Sequence, residues 1–213
     1  MINFFGEGAH IITYPVEEDS ASKATRYSWA LARRENETRE AWRTVDDSTL
    51  NEVRKDPCSQ WGFGAGSLIK NTEKVVKYGL YDRPELKTWY KGRVVLLGDA
   101  AHPTSPHLGQ GANQAFEDIY WLVRTLVKHN PKGNPPSTEV LTTIFQEYES
   151  IRIGRSGAMV KGARKMGESR VVVGHEASIA RNNALRQYYK DHGLPFEGFD
   201  KITKGPYEGE SEI

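Results

Sequence analysis

Cysteine is nearly absent from this chain. Only Cys58 occurs in 213 residues, so no intrachain disulfide and no cysteine-rich metal centre can form, and a reducing, cytoplasmic setting is the simplest expectation. Excess charge is lacking too: 29 basic against 28 acidic residues leave a formal net charge of +1, which argues against an electrostatically driven nucleic-acid or membrane binder. No apolar run is long enough to span a bilayer, and Met1 to Tyr14 has neither the basic start nor the long apolar stretch of a secretion signal. Internal repeats and low-complexity tracts are missing. Gly62, Gly64 and Gly66 are spaced G-x-G-x-G, with no strand before them and no acidic residue closing a second strand, so they read as a loop and not as a dinucleotide fingerprint. A plausible G-x-S-x-G nucleophile and a histidine-rich metal constellation are also lacking, which ranks a hydrolase built on Asp99 and His102 last.

What the chain does have is concentrated between Gly92 and Val127. Val94 to Leu97 is an apolar, largely branched run, the pattern of a strand buried on both faces of a parallel sheet. Such strands place ligands at their C-terminal ends, where Gly98 and Asp99 follow. Asp99 could accept a hydrogen bond from a ligand hydroxyl there, or merely cap the Ala100-Ala101-His102 turn. Pro103, Pro106, Gly109 and Gly111 then make an irregular loop. From Ala112 to Lys128 an amphipathic helix is predicted, with Ala115, Phe116, Ile119, Leu122, Val123, Leu126 and Val127 as one buried stripe and Asn130-Pro131-Lys132-Gly133 as its stop. Gly109 and Gly111 leave the helix start bare, so a flat, negatively charged ligand can approach its amides.

Gly98-Asp99-Ala100-Ala101-His102-Pro103, then Pro106, Gly109-Gln110-Gly111-Ala112-Asn113 and Glu117-Asp118, resembles the second flavin-binding motif of the single-component FAD-dependent aromatic hydroxylases, in particular the salicylate-hydroxylase-like branch. The resemblance implies that Asp99 bonds a ribityl hydroxyl of FAD and that Pro106 lies near the flavin face where oxygen reacts. It also implies that the Gly111, Ala112 and Asn113 backbone reaches the pyrimidine edge of the isoalloxazine, with Gly109 among the cofactor-binding residues. A helix N-terminus independently suits that edge, which carries negative charge in the reduced flavin. His102 reads as a packed or loop histidine, since a lone histidine beside proline shows no partner in sequence. No residue is assigned as a general base, and none as a metal ligand.

The implied fold is α/β, α+β over the stretch present here: an incomplete FAD/NAD(P)-binding Rossmann-like fold of the para-hydroxybenzoate hydroxylase type with part of an antiparallel substrate-domain sheet. Its expected divisions are residues 1–48 for the partial sheet, 49–88 for a helical connection, 89–130 for the C-terminal part of the FAD-binding domain and 131–213 for a helical region and tail. Phe5 to Val16, where Gly6-Glu7-Gly8-Ala9-His10 leads to Tyr14-Pro15, resembles a strand of the family's substrate-domain sheet, and it and Tyr27 to Ala32 are read as paired strands, with Glu17 to Ser20 in the turn between them. They form either an ordinary hairpin or part of a wall above the flavin. The surroundings of Trp42 resemble the place where the family's sheet gives way to helices.

A Thr49-x-x-Glu52 capping box predicts a helix ending before Asp56-Pro57. A polar helix is expected over Ser67 to Tyr78, with Leu80 to Pro84 and Trp89 leading toward the flavin strand. After Ser137 a long helix carries Val140, Leu141, Ile144, Phe145, Tyr148, Ile151, Ala158, Met159 and Gly162. Its Arg152, Arg155, Lys161, Arg164 and Lys165 read as a solvated face. Val171 to Val173 is a short strand or extended link, Glu176 to Lys190 a last helix, and Asp200 to Ile213 a frayed tail.

Family members begin with a strand and the pyrophosphate-binding G-x-G-x-x-G turn and carry a further Asp-Gly motif; neither occurs here. Met1 is therefore expected to fall inside the substrate domain, as in a split, truncated or mispredicted gene product, with exposed apolar surface and unpaired strand edges. Weak or no FAD binding is expected of the chain alone unless an N-terminal complementing chain joins it. The implied reaction is hydroxylation of a small aromatic acid or phenol with NAD(P)H and O2. A non-catalytic remnant acting through protein contacts is the alternative.

Overall fold

A computed structural model describes residues 1–19, 24–34, 43–44 and 47–192. The Trp42 surroundings, the Thr49 side chain, Ser20 and the tail from residue 193 lie outside the described residues. The chain divides into two compact units, residues 1–79 with 169–184, and residues 80–168 with 185–213.

The first unit is built on an antiparallel sheet in the order β1 (Ile2–Phe5), β2 (Ala9–Asp19), β3 (Ala24–Arg33). The single strand expected from Phe5 to Val16 is two strands, because Gly8 takes φ +68° and the Gly6 N–H donates to the Ala9 carbonyl at 3.0 Å. Positive φ strains any residue with a Cβ, and that turns the chain back here. The β2–β3 pairing runs from Ala9↔Arg33 to Asp19↔Ala24, with a bulge at Val16 between the Pro15 and Glu17 pairs. Pro15 lies beyond the last β1 partner, Thr13, where the N–H it lacks is not required on that side.

Alternation along β2 sends Ala9 and Ile11 to one face. There they pack with Cys58, Ala65 and Ile69, flanked by Phe4, Trp29, Leu31, Val53 and Trp61. Phe4, Trp29 and Leu31 belong to the sheet itself, and the other partners come from the short helices α1 (Asp47–Arg54) and α2 (Ala65–Lys70) and the turn between them. A two-residue pair, β4 (Arg43–Thr44) with β5 (Val76–Lys77), completes the set. The polar helix expected to reach Tyr78 ends at Lys70. Just past its end, the Thr72 hydroxyl donates back to the Leu68 carbonyl at 2.9 Å, and the Thr72 Oγ1 accepts the Trp29 indole N–H at 3.1 Å.

In the second unit, β6 (Tyr90–Lys91) and β7 (Val94–Val95) form a tight hairpin around Gly92-Arg93, with φ +58° at Gly92. This corrects the expected strand. Val94 to Leu97 has no parallel neighbour among the described residues, and Val94 is 66% exposed and Leu97 38%. Helices α3 (Gly111–His129) and α4 (Thr138–Arg170) follow; the last helix, α5 (His175–His192), is counted with the first unit up to Ala184. Trp89, Ala101 and Tyr148 form one buried cluster and Leu141, Ile144 and Phe145 another, joined through Val95 and Leu122. Val171 to Val173 is a link, not a strand.

Two expected faces are corrected. On α3, Leu122 and Leu126 pack inward, but Phe116, Ile119, Val123 and Val127 are between 47% and 65% exposed. Gln114, Glu117, Asp118 and Thr125 take the buried side. On α4, the stripe beyond Tyr148 continues through Arg152, Ser156, Val160, Ala163 and Gly167, while Ala158 is exposed. No helix of the described residues is long and apolar enough to cross a membrane.

Candidate functional site

After β7 the backbone runs extended through Leu97 and turns at Gly98 (φ +55°), whose carbonyl accepts the Ala101 and His102 N–H groups, both at 2.9 Å. Glycine is required twice over: a Cβ here would meet Ala115 of α3 at 3.3 Å, besides straining the backbone. Asp99 stands inside this short turn, exposed, and the residue at its cap position is Leu97. Among the described residues the Asp99 carboxylate has no hydrogen-bond partner, so its capping alternative falls away. Arg83 reaches the Asp99 and Ala100 carbonyls at 3.4 Å each.

The loop that follows is seated on α4. Pro106 opens a short turn closed by Gly109 at φ +64°. Its Leu108 side chain lies against Gly162, and a Cβ on Gly167 would come within 2.4 Å of the His107 ring, so two bare positions on α4 admit the loop. Pro106 and Gly109 remain exposed.

Helix α3 then begins without a side-chain cap at Gln110, and its first internal bond is Gln114 N–H to the Gln110 carbonyl at 2.9 Å. The amides of Gly111, Ala112 and Asn113 precede that bond and have no intrahelical acceptor. A Cβ on Gly111 would meet only the Thr104 methyl, at an ordinary contact distance of 3.5 Å. The Asn113 side chain is tied sideways to Gln110 Oε1 at 3.1 Å.

Beneath this surface lies a buried ionic cluster. Arg152, read from sequence as solvated, is fully buried. Its Nε donates to Asp118 Oδ1 at 2.7 Å, Nη1 to Glu117 Oε2, and Nη2 to the Gln114 carbonyl and Oε1 at 3.1 and 2.9 Å. Arg155 adds a two-pronged pair to Glu117 at 2.6 and 2.8 Å. Asp118 Oδ2 accepts the Gly98 N–H at 2.8 Å and contacts His102 Nε2 at 2.6 Å. His102 therefore has the partner that its sequence context hid. Burial alone pushes both carboxyls up, but Arg155 and Arg152 around Glu117, and His102, the Gly98 amide and Arg152 around Asp118, outweigh it and hold both below their ordinary values.

The cluster escaped sequence reading because arginine on a helix is usually solvated. One signal was present: Arg152 lies four residues from both Tyr148 and Ser156, on the same buried stripe.

The residues present fit a flavin dinucleotide at one end: an unpaired carboxylate past a strand, uncapped helix amides, and a glycine where a Cβ would narrow the approach. Comparison with known proteins points the same way. The chain is 40% identical over 108 residues to 3-amino-4-hydroxybenzoate 2-monooxygenase of Streptomyces cremeus, covering 51% of this chain and 25% of that protein. It is 29% identical over 193 residues to a salicylate hydroxylase of Pseudomonas putida, covering 86% and 42%. A solved salicylate hydroxylase substrate complex superposes with a TM-score of 0.65 at 25% identity, over 89% of this chain and 45% of that one. The chain thus spans less than half the length of each of these relatives. Residues 15–137 match the family described as FAD binding domain, and the chain belongs to that family.

Proposed function

We propose that this chain supplies the isoalloxazine- and ribityl-binding part of an FAD-dependent monooxygenase that hydroxylates a small aromatic acid or phenol with NAD(P)H and O2. The observation that carries the reading is the pairing of the free Asp99 carboxylate with the bare amides of Gly111, Ala112 and Asn113 across one turn packed on α3. Bound flavin would supply the oxygen chemistry. The chain's own residues would orient it: Asp99 accepts a ribityl hydroxyl, the three amides offset negative charge at the pyrimidine edge, and Pro106 and Gly109 shape the wall beside it without presenting a polar group. Aromatic substrates named for the relatives, salicylate and 3-amino-4-hydroxybenzoate, give the substrate class.

The exposed apolar row of α3, with Val94 and Leu97, supports a complementing segment that carries the G-x-G-x-x-G half and covers that face. The same surface favours the second reading, a remnant that acts only through protein contacts.

The test is a flavin titration of the purified chain, alone and mixed with the N-terminal half of a close relative, followed by flavin fluorescence and by NADH- and NADPH-dependent oxygen uptake with salicylate. A stoichiometric flavin complex in the mixture, with turnover, is expected. A mixture that associates but takes up no flavin would leave the remnant reading in place.

A further inference from the structure

We infer that Asp118 is a positioning residue: gripped by Arg152, its carboxylate fastens the Gly98 amide and the His102 ring together, and so fixes where the Asp99 carboxylate stands. The last step, from Asp99 to cofactor, rests on the function proposed above; the clamp itself does not.

The geometry is specific. The turn from Gly98 to His102 carries Asp99 at its second residue, and each end of the turn is tied to the same oxygen, Asp118 Oδ2, at 2.8 and 2.6 Å. Within the turn, the only other short bonds are the Ala101 and His102 amides to the Gly98 carbonyl. The Arg83 contacts, at 3.4 Å, are at the limit of hydrogen bonding. Asp118 therefore supplies the short hydrogen bonds that join this turn to α3. Its other oxygen is held by Arg152 from α4, so the carboxylate cannot rotate without breaking a buried charge-assisted bond. Asp118 and Arg152 are fully buried, and His102 is 7% exposed.

The same contacts define the state of His102. An ionised carboxylate only accepts hydrogen bonds, so Nε2 must carry the proton. That nitrogen is then a donor in use, unable to take a proton from a substrate, which assigns the imidazole to architecture and away from base catalysis at Nε2.

The experiment uses the full chain labelled with 15N. Amide exchange at Gly98 reads the clamp directly, and long-range histidine correlations read the tautomer; neither needs flavin. Slow exchange at Gly98 and a protonated Nε2 are expected in the wild-type chain. Asp118→Asn keeps the shape but turns an amide donor toward donors, and should speed Gly98 exchange about tenfold or more, whereas Asp99→Asn should leave it unchanged. If Asp118→Asn does not fold, the His102 pair carries the test: His102→Leu should speed Gly98 exchange, and His102→Gln, which retains a donor, should restore it. In flavin titrations of the complemented protein, Asp99→Asn and Asp118→Asn should both weaken binding, but only the second should do so with loss of Gly98 protection.

Gly98 exchange indifferent to both Asp118→Asn and His102→Leu overturns the clamp whatever the flavin result. A His102→Gln variant with wild-type Gly98 protection and wild-type flavin affinity but no turnover overturns the architectural assignment of the ring. Dependence of Gly98 on Asp118 in a protein that never takes up flavin supports the clamp and sinks the cofactor reading instead.

Discussion

Replacing Arg152 by methionine is the sharpest perturbation of the second unit. The substitution conserves much of the volume and removes four hydrogen bonds. Their partners are not equally exposed to the loss. Glu117 keeps both Arg155 bonds and the Gln114 Nε2 donor at 2.9 Å, so it stays compensated. Asp118 keeps the Gly98 amide and His102 but loses its one permanently charged neighbour, and the Gln114 carbonyl loses its Arg152 donor.

Breaking a buried ion pair by removing one partner costs about 3–5 kcal/mol. The donors left on Asp118 place this case at the lower end, and burial of the methionine offsets about 1 kcal/mol. A net loss of roughly 2–3 kcal/mol is expected, which at urea slopes of about 1–3 kcal/mol/M moves the unfolding midpoint down by about 0.7–3 M. Unfolding should be followed by amide exchange or near-UV signals of Trp89, which belongs to this unit.

The pH dependence gives a second check. Glu117 and Asp118 sit below their ordinary values of 4.5 and 3.8 in the folded protein. The stability they contribute is therefore fully present above those ordinary values and is lost as pH falls through the lower folded ones. Without Arg152, burial acts on Asp118 with less opposition and its folded value rises, so the gap between variant and wild type should be widest near neutrality and narrow below about pH 4. A midpoint within about 0.2 M of wild type at neutral pH, or a gap that persists unchanged in acid, would refute the account.

Gly111→Ala should leave stability within about 0.5 kcal/mol of wild type, since the added methyl meets only Thr104 at ordinary contact distance, yet weaken flavin binding about tenfold or more; equal affinity in a fluorescence titration would remove Gly111 from the site. Gly66→Ala drives a methyl to within 2.3 Å of the Ser59 carbonyl, which is backbone and cannot swing away, so a loss of about 1–3 kcal/mol in thermal unfolding of the first unit is expected. Burial, reinforced by the Asp56 carboxylate, pushes the Cys58 thiol up to about 12. Iodoacetamide at mildly alkaline pH should therefore modify it only through opening of the sheet core, and a rate equal to that of a free cysteine peptide would contradict that burial. Ile119→Asp with Val123→Asp should change the stability of the isolated chain by no more than about 0.5 kcal/mol, because both side chains are about half exposed, while abolishing association with a complementing N-terminal half in gel filtration.

The flavin-motif segment could be read before any coordinates because several unrelated constraints coincide in it. Gly98 and Gly109 both take positive φ, Pro106 opens a turn, and α3 starts at Gly111, within one residue of its expected start. Turn chemistry is local, and local chemistry is what a sequence states most directly. The hairpin of β2 and β3 was legible for the same reason, through alternation. Long-range partners were not. Val94 reads as doubly buried because it is branched and apolar, but side-chain character says what a residue can cover and is silent on what lies beside it. The α3 stripe failed likewise: periodicity located an apolar row, but the helix turns Gln114, Glu117 and Asp118 toward Arg152 and leaves much of that row facing outward. A buried cation on one helix and two acids on another, 34 and 35 residues away, leave no periodic mark.

An inward polar seam gives α3 something an oily seam would not. Hydrocarbon packing tolerates small rolls of a helix about its axis, since one methylene substitutes for another; a guanidinium fork seated on two carboxylates has a single angular solution. The roll of α3, and with it the compass bearing of its leading amides, is thus set by this fork together with the inward Leu122 and Leu126. Whatever docks there meets a helix already aimed.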